Sequence, residues 1–137
     1  SARAALTFVR SIAAEYGIPT DFYKTRDIHI HVPEGAVPKD GPSAGVTLCT
    51  ALVSELTGKT VKRNVAMAGE ITLTGRVLPI GGLREKTMAA YKYGCDTVLI
   101  PYDNSGDIEE LDSEVKENLK LIPVKNVSEV LRLAVNP

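Results

Sequence analysis

Three helical patterns, each ended by a glycine, divide this chain and alternate with short apolar segments. Apolar residues recur every three or four positions over 5–16, 43–57 and 83–93. Gly17, Gly58 and Gly94 follow these stretches and are typical helix ends. Runs with the composition of strands cover 65–73, 77–80, 97–100 and 121–124. Helices that alternate with short strands predict an α+β (mixed α/β) domain in which helices flank a mixed sheet.

Two further strand features refine this architecture. Gly75 lies in a short polar link between two apolar runs, which predicts a hairpin between 65–73 and 77–80. Residues 28–32 alternate apolar and polar side chains, which predicts a half-buried strand.

The last third of the chain combines an acidic segment with a final helix. Acidic residues concentrate over 103–117, which indicates a solvated, mobile surface carrying one or two short helices. Apolar periodicity predicts a helix over 128–135, and Asn126 and Glu129 have the spacing of a capping box at its start.

Length and charge restrict the classes of function. The 137 residues suit one domain, and 16 basic against 17 acidic side chains give a formal net charge of −1. This balance argues against a nucleic-acid or membrane-surface binder, and the basic cluster at 59–63 is small enough to be a solvated turn. The chain has no apolar run of membrane-spanning length and no signal-peptide pattern, so we expect a soluble intracellular protein.

The cysteines and the first residues carry two further expectations. Cys49 and Cys95 have no close-spaced partner, which favours free thiols in a reducing compartment over a zinc site or redox pair. The chain begins at Ser1 without an initiator methionine and already inside a helical pattern. We therefore expect residues 1–137 to be one fragment of a longer protein.

Ser43 stands where an apolar helix begins, between Gly41-Pro42 and Ala44-Gly45. A helix start offers unsatisfied N–H groups and a locally positive field, which suit an oxyanion. A serine nucleophile also needs a base, and Lys86 in the segment 81–86 lies 43 residues downstream. Two structural interpretations stay open, because a serine before a helix is usually an N-cap and a helix lysine is usually solvated.

A lysine acts as a base only as the neutral amine, and about one lysine in 2,500 is neutral in water at pH 7. The Lys86 amine would therefore have to be shielded from water. Leu83, Thr87 and Ala90 share its helical face and could provide that shielding.

The two histidines offer a third chemistry. His29 and His31 have the i, i+2 spacing that places side chains on one face of a strand. Such a pair fits a general base, two ligands of a metallohydrolase or a polar strand face. A metal site would need a third ligand, and none is evident in the sequence.

The segments around Ser43 and Lys86 resemble a known family, the proteolytic domain of the A-type Lon proteases of bacteria and mitochondria. The resemblance covers nearly the whole chain. It rests on the segments 28–35, 38–45, 69–73, 77–80, 81–86 and 97–101, and on the separation of Ser43 and Lys86. It implies the Lon proteolytic domain fold, which is ribosomal protein S5 domain 2-like, with the first strands of that domain upstream of Ser1.

The resemblance also implies a function. Ser43 would be the nucleophile and Lys86 the general base of a Ser-Lys dyad, with oxyanion donors in the loop formed by Asp40, Gly41, Pro42 and Ser43. The enzyme would be an ATP-dependent endopeptidase that degrades unfolded, misfolded and regulatory proteins as a six-membered ring. ATP and Mg²⁺ would belong to an AAA+ ATPase module outside this chain, which itself would hold no cofactor or metal. A bacterial cytoplasm would be favoured over the mitochondrial matrix.

Ala68 and Glu70 are the two positions that the resemblance places near the implied dyad. Many family members carry at position 68 a threonine whose hydroxyl contacts the catalytic lysine. Ala68 cannot make that contact, so we expect an altered pH dependence and retained activity. Glu70 follows on the same strand and is assigned a structural role. The alternative function is a non-catalytic binding or assembly module, since one fold serves many functions.

Overall fold

The computed structural model describes residues 2–30 and 44–137. The helices are α1 (Ala2–Ile12), α2 (Phe22–Thr25), α3 (Gly45–Thr57), α4 (Leu83–Lys92), α5 (Ser113–Asn118) and α6 (Val127–Ala134). The strands are β1 (Val65–Met67), β2 (Glu70–Ile71), β3 (Val77–Leu78), β4 (Thr97–Pro101) and β5 (Lys120–Val124). Residues Ala13–Tyr16 and Tyr102–Glu110 form 3-10 helices.

Within the described residues the strands form two sheets, one parallel and one antiparallel. Strands β1, β4 and β5 form a parallel sheet in the order β1-β4-β5, with Val65 opposite Thr97 and Thr97 opposite Lys120. The predicted hairpin is confirmed for β2 and β3, with Glu70 opposite Leu78, but the predicted single strand over 65–73 is wrong, because β1 within it pairs with β4 instead. The predicted mixed α/β class is therefore confirmed, and so are the three helices that precede Gly17, Gly58 and Gly94.

Strand β4 is buried on both faces and separates two apolar clusters. Leu99 faces the cluster formed with α1, α3 and α6, which we call the α3 side. Val98 and Ile100 face the cluster formed with α4 and α5, which we call the α4 side. A parallel strand covered by helices on both faces is continuously apolar, which explains the uninterrupted sequence 97–100.

The predicted strand over 28–32 is wrong for the residues that the structure describes. Residues 28–30 belong to no strand and are exposed, while 31 and 32 lie outside the described part. Alternating side chains fit a strand only where a neighbouring strand pairs its backbone groups, and no strand within 2–30 or 44–137 pairs with residues 28–30.

The acidic segment is more than a solvated surface. Leu111 and Val115 are buried in the α4-side cluster, and the Asn104 side chain is also buried. Beyond it, the Asn126 side chain accepts the Glu129 N–H at 3.2 Å, which confirms the predicted cap of α6. The Glu129 carboxylate accepts the Lys125 N–H, one residue before the position that a standard capping box uses.

No helix within the described ranges is both long enough and apolar enough to cross a membrane.

Candidate active site at the carboxyl edge of the sheet

The chain leaves all three parallel strands at one edge, and the β2–β3 hairpin is bonded to the residues there. The Val77 N–H donates to the carbonyl of Lys125, which follows β5, at 2.9 Å. Ile80 is hydrogen-bonded to Asn104, which follows β4. In open α/β sheets this carboxyl edge is the usual position of ligand-binding and catalytic groups.

The first turn of α3 packs directly against the segment that leaves β1. The Val46 N–H donates to the Gly69 carbonyl at 3.0 Å. Gly45 is buried, and a Cβ built on it would lie 3.0 Å from the Ile71 Cγ1 and 3.1 Å from the Ile71 backbone nitrogen. This approach of two backbones is the reason that the helix following Ser43 begins with a glycine.

Gly69 is the other half of this contact. Its φ is +155°, and a built Cβ would lie 2.6 Å from the Val77 Cγ1 and 2.9 Å from the Val46 Cγ2. Only glycine fits there without displacing a neighbour. Gly69 therefore joins β1, the hairpin and the start of α3 into one packed unit.

Lys86 lies one turn into α4. Its N–H donates to the carbonyl of Gly82 at 3.0 Å, and its side chain is half-buried. The neighbouring Thr87 is fully buried, and its hydroxyl donates to the Leu83 carbonyl at 2.9 Å. Because Ile80 is tied to Asn104 just before this helix, α4 starts at the same edge as α3.

Ala68 and Glu70 flank Gly69, the residue whose carbonyl binds the first turn of α3. Ala68 is 7% exposed, and its N–H donates to the Leu99 carbonyl at 3.1 Å, which extends the pairing of β1 with β4. Its methyl group presents no polar atom. Glu70 is half-buried and begins β2.

Several predicted site residues lie outside the described residues. They are His31, Asp40, Gly41, Pro42 and Ser43. The pairing of Ser43 with Lys86 and the oxyanion loop therefore stay predictions. His29 is exposed, and within residues 2–30 and 44–137 no three His, Cys, Asp or Glu side chains form a group that could hold a metal.

A small acidic cavity opens beside the start of α4. It has a volume of about 240 Å³ and is lined by Gly81, Gly82, Arg84, Glu85, Asp107 and Glu110, among others.

The Arg84 guanidinium donates to the Asp112 carboxylate at 3.0 Å, so α4 is bonded to the start of α5. The Tyr91 hydroxyl donates to the Glu114 carboxylate at 3.0 Å, and this bond raises the pKa of Tyr91.

Sequence reasoning missed two residues that shape this edge, Gly69 and Asn104. Gly69 lies two residues after β1 and Asn104 three residues after β4, at the edge where the carboxyl ends of the parallel strands meet. A glycine or an amide at such a position is the feature that could have identified them.

Comparison with known proteins shows the family of this chain. All 137 residues match the family described as Lon protease (S16) C-terminal proteolytic domain. The Lon protease of Escherichia coli (strain K12) is 60% identical over 134 residues, covering 98% of this chain and 17% of that protein. The Lon protease of Buchnera aphidicola subsp. Schizaphis graminum (strain Sg) is 59% identical with the same coverage.

A third relative extends the match to another bacterial group. The Lon protease of Chloroflexus aggregans is 56% identical over 136 residues, covering 99% of this chain and 16% of that protein. The chain thus spans about a sixth of the length of the relatives it matches. The match over the full chain shows that this protein belongs to the Lon protease C-terminal proteolytic domain family.

Proposed function

We propose that this chain is the proteolytic unit of an ATP-dependent serine endopeptidase, with Ser43 as nucleophile and Lys86 as general base. The observation that carries the proposal is that two helices begin at the same edge of the sheet. The first turn of α3, which follows Ser43, and the first turn of α4, which contains Lys86, both start at the carboxyl edge of the parallel sheet. Membership of the family supports the same assignment.

The proposed reaction proceeds in two steps. The neutral Lys86 amine takes the proton of the Ser43 hydroxyl as the oxygen attacks the peptide carbonyl carbon, and the tetrahedral oxyanion forms. N–H groups of Ser43 and of the Asp40–Gly41 loop would donate to that oxyanion, aided by the field at the start of α3. The C–N bond then breaks, and the Lys86 ammonium returns its proton to the departing amine.

The second step hydrolyses the acyl-enzyme. Lys86, neutral again, takes a proton from water, and the hydroxide attacks the ester carbon. Collapse of the second tetrahedral intermediate releases the carboxylic acid and returns the proton to the serine oxygen. Ala68 would contribute a dry methyl group beside this chemistry and no hydrogen bond.

The remaining features of the proposal concern the complete protein. Unfolded, misfolded and regulatory proteins would be the substrates, and the subunits would form a six-membered ring. ATP and Mg²⁺ would act in an AAA+ ATPase module outside these 137 residues. A bacterial cytoplasm fits the relatives compared above, which are bacterial.

The test measures peptide cleavage by the complete natural protein that contains this chain. Ser43→Ala and Lys86→Met should each lower kcat by about 10⁴-fold or more, because members of a catalytic dyad act as a unit. Ser54→Ala on α3 and Lys92→Met on α4 are matched controls on the same helices and should keep near-normal cleavage. Near-normal cleavage by Lys86→Met would instead favour the non-catalytic module.

A further inference from the structure

We propose that Asn104 is a positioning residue that fixes the start of α4 and thereby the place of Lys86. This inference rests on the proposed role of Lys86 as the base. Asn104 lies in the acidic segment after β4, distant in sequence from both Ser43 and Lys86.

The Asn104 side chain binds the backbone of Ile80 through both of its polar atoms. Its Oδ1 accepts the Ile80 N–H at 2.9 Å, and its Nδ2 donates to the Ile80 carbonyl at 3.0 Å. This is the pattern by which a neighbouring strand would pair with Ile80. The side chain therefore acts as a one-residue strand partner at the point where the hairpin ends.

Asn104 is itself held in one orientation. Only 3% of the residue is exposed, and its Nδ2 also donates to the Asp107 carboxylate at 2.8 Å. The carboxylate accepts a hydrogen bond from the amide nitrogen only, so it sets which way the amide faces. A buried amide with all these bonds made is rigid, and losing it would leave the Ile80 groups without that partner.

The two hydrogen bonds between Asn104 and Ile80, which we call the Asn104 clamp, lie just before the helix that carries Lys86. Ile80 is followed by Gly81 and Gly82, which have no side chains that could pack and fix the chain. The Gly82 carbonyl then accepts the Lys86 N–H, so the first turn of α4 begins directly after the clamp. Without Asn104, the four residues Pro79 to Gly82 would separate α4 from Leu78, the last residue of β3.

The first experiment compares steady-state kinetics of the complete protein with a fluorogenic peptide. Asn104→Ala should lower kcat about 10- to 100-fold with KM within about twofold, because a displacement near 1 Å is enough for such a loss. Asn126→Ala is the matched control, since it removes a side-chain bond to the backbone at the start of another helix, α6. Its kcat should stay within about twofold at a temperature where both variants are folded.

The second experiment measures hydrogen exchange and does not depend on activity. In Asn104→Ala the Lys86 amide, bonded to Gly82, should exchange at least about tenfold faster, while the Tyr93 amide at the far end of α4 keeps its protection. Equal losses of protection along α4, or a kcat equal to that of Asn126→Ala, would overturn the inference. If Lys86→Met keeps its activity, the proposed function fails, and the exchange result still decides whether Asn104 holds this turn.

A third variant serves if Asn104→Ala does not fold. Asn104→Asp keeps the acceptor for the Ile80 N–H but sets a second carboxylate against Asp107, so kcat should again fall. Adding Asp107→Asn restores a donor and the original charge of the pair, and should recover part of the loss. A double variant no more active than Asn104→Asp alone would contradict the clamp.

Discussion

The two helices that begin at the candidate site are held in place by opposite means. On the α3 side, the first turn is fixed by close backbone contact, with Gly45 against Ile71 and Val46 bonded to Gly69. On the α4 side, Leu83 is buried, but polar side chains also bind the chain around the first turn, with Asn104 bonded to Ile80 and Arg84 to Asp112. A close backbone contact is sensitive to added atoms, whereas a polar tie is sensitive to lost ones.

The two cysteines reflect the same difference in environment. Cys49 is fully buried between α3 and α1, and burial raises the pKa of its thiol to about 12. Cys95 follows α4 and is half-exposed. The interior of the α3 side is therefore shielded from water at Cys49, while the α4 side combines apolar packing with bonds to water-accessible groups.

The largest effect is expected from adding one methyl group to the α3-side contact. Gly69→Ala should lower the free energy of unfolding by about 3 kcal/mol, because the new Cβ overlaps Val77 and Val46 and the backbone φ is unfavourable. Urea denaturation measures the change. Gly106→Ala is the control, since a Cβ there meets nothing within 4 Å, and it should change stability little. Equal stability of the two variants would show that the backbone contact is not tight.

The contacts of Gly69 also show which parts of the fold can be predicted from the sequence. Periodicity and glycine punctuation predict α1, α3, α4 and the hairpin, because each depends on contacts within a few residues in sequence. The position of Gly69 after a strand was a usable signal, but its contacts could not be predicted, because the side chains it meets come from separate elements, Val46 on α3 and Val77 on β3. The close approach exists only once the elements are assembled.

The candidate site likewise contains residues that the sequence predicts and residues that only the structure shows. Lys86 and Ser43 were identified through their motifs and family resemblance, and the structure adds that α3 and α4 start at one edge. Asn104 was assigned only to an acidic surface, because its partner Ile80 lies 24 residues away in sequence. The strand predicted over 28–32 failed at 28–30, since alternation reports a side-chain pattern and not the presence of a pairing partner.

An intermediate change in the free energy of unfolding is expected from the buried thiol of Cys49. The unfolded chain loses this proton near pH 9, while the folded protein keeps it until about pH 12. The free energy of unfolding should therefore be unaffected below pH 8 and fall by about 1.4 kcal/mol per pH unit between those values. Comparing wild type with Cys49→Ala by urea denaturation at pH 8, 9 and 10, under reducing conditions, isolates this contribution.

Cys95→Ala is the control for removing a thiol that is only partly buried. The thiol reactivities give a second reading, because iodoacetamide should label Cys95 in the folded protein well before Cys49. Equal labelling rates would mean that water reaches the α3 side and would remove the contrast between the two sides.

The smallest effect is expected from the exposed ion pair on the α4 side. A double-mutant cycle with Arg84→Gln and Asp112→Asn should give a coupling of about 0.5 kcal/mol that weakens in 1 M salt. Their side chains are 66% and 33% exposed, so water screens the pair. The looser pair of Arg76 and Asp103, 3.8 Å apart, should couple less strongly. A coupling above about 2 kcal/mol would make this ion pair, and not Asn104, the main fastening of α4.

The most direct test of the account is the distance between the Ser43 Oγ and the Lys86 Nζ in an experimental structure of the complete protein. We predict a hydrogen bond of about 2.6–3.2 Å, with the amine shielded from bulk water and Asn104 bonded to Ile80. A well-ordered site in which the Lys86 amine extends into solvent, more than about 6 Å from the serine oxygen, would contradict it.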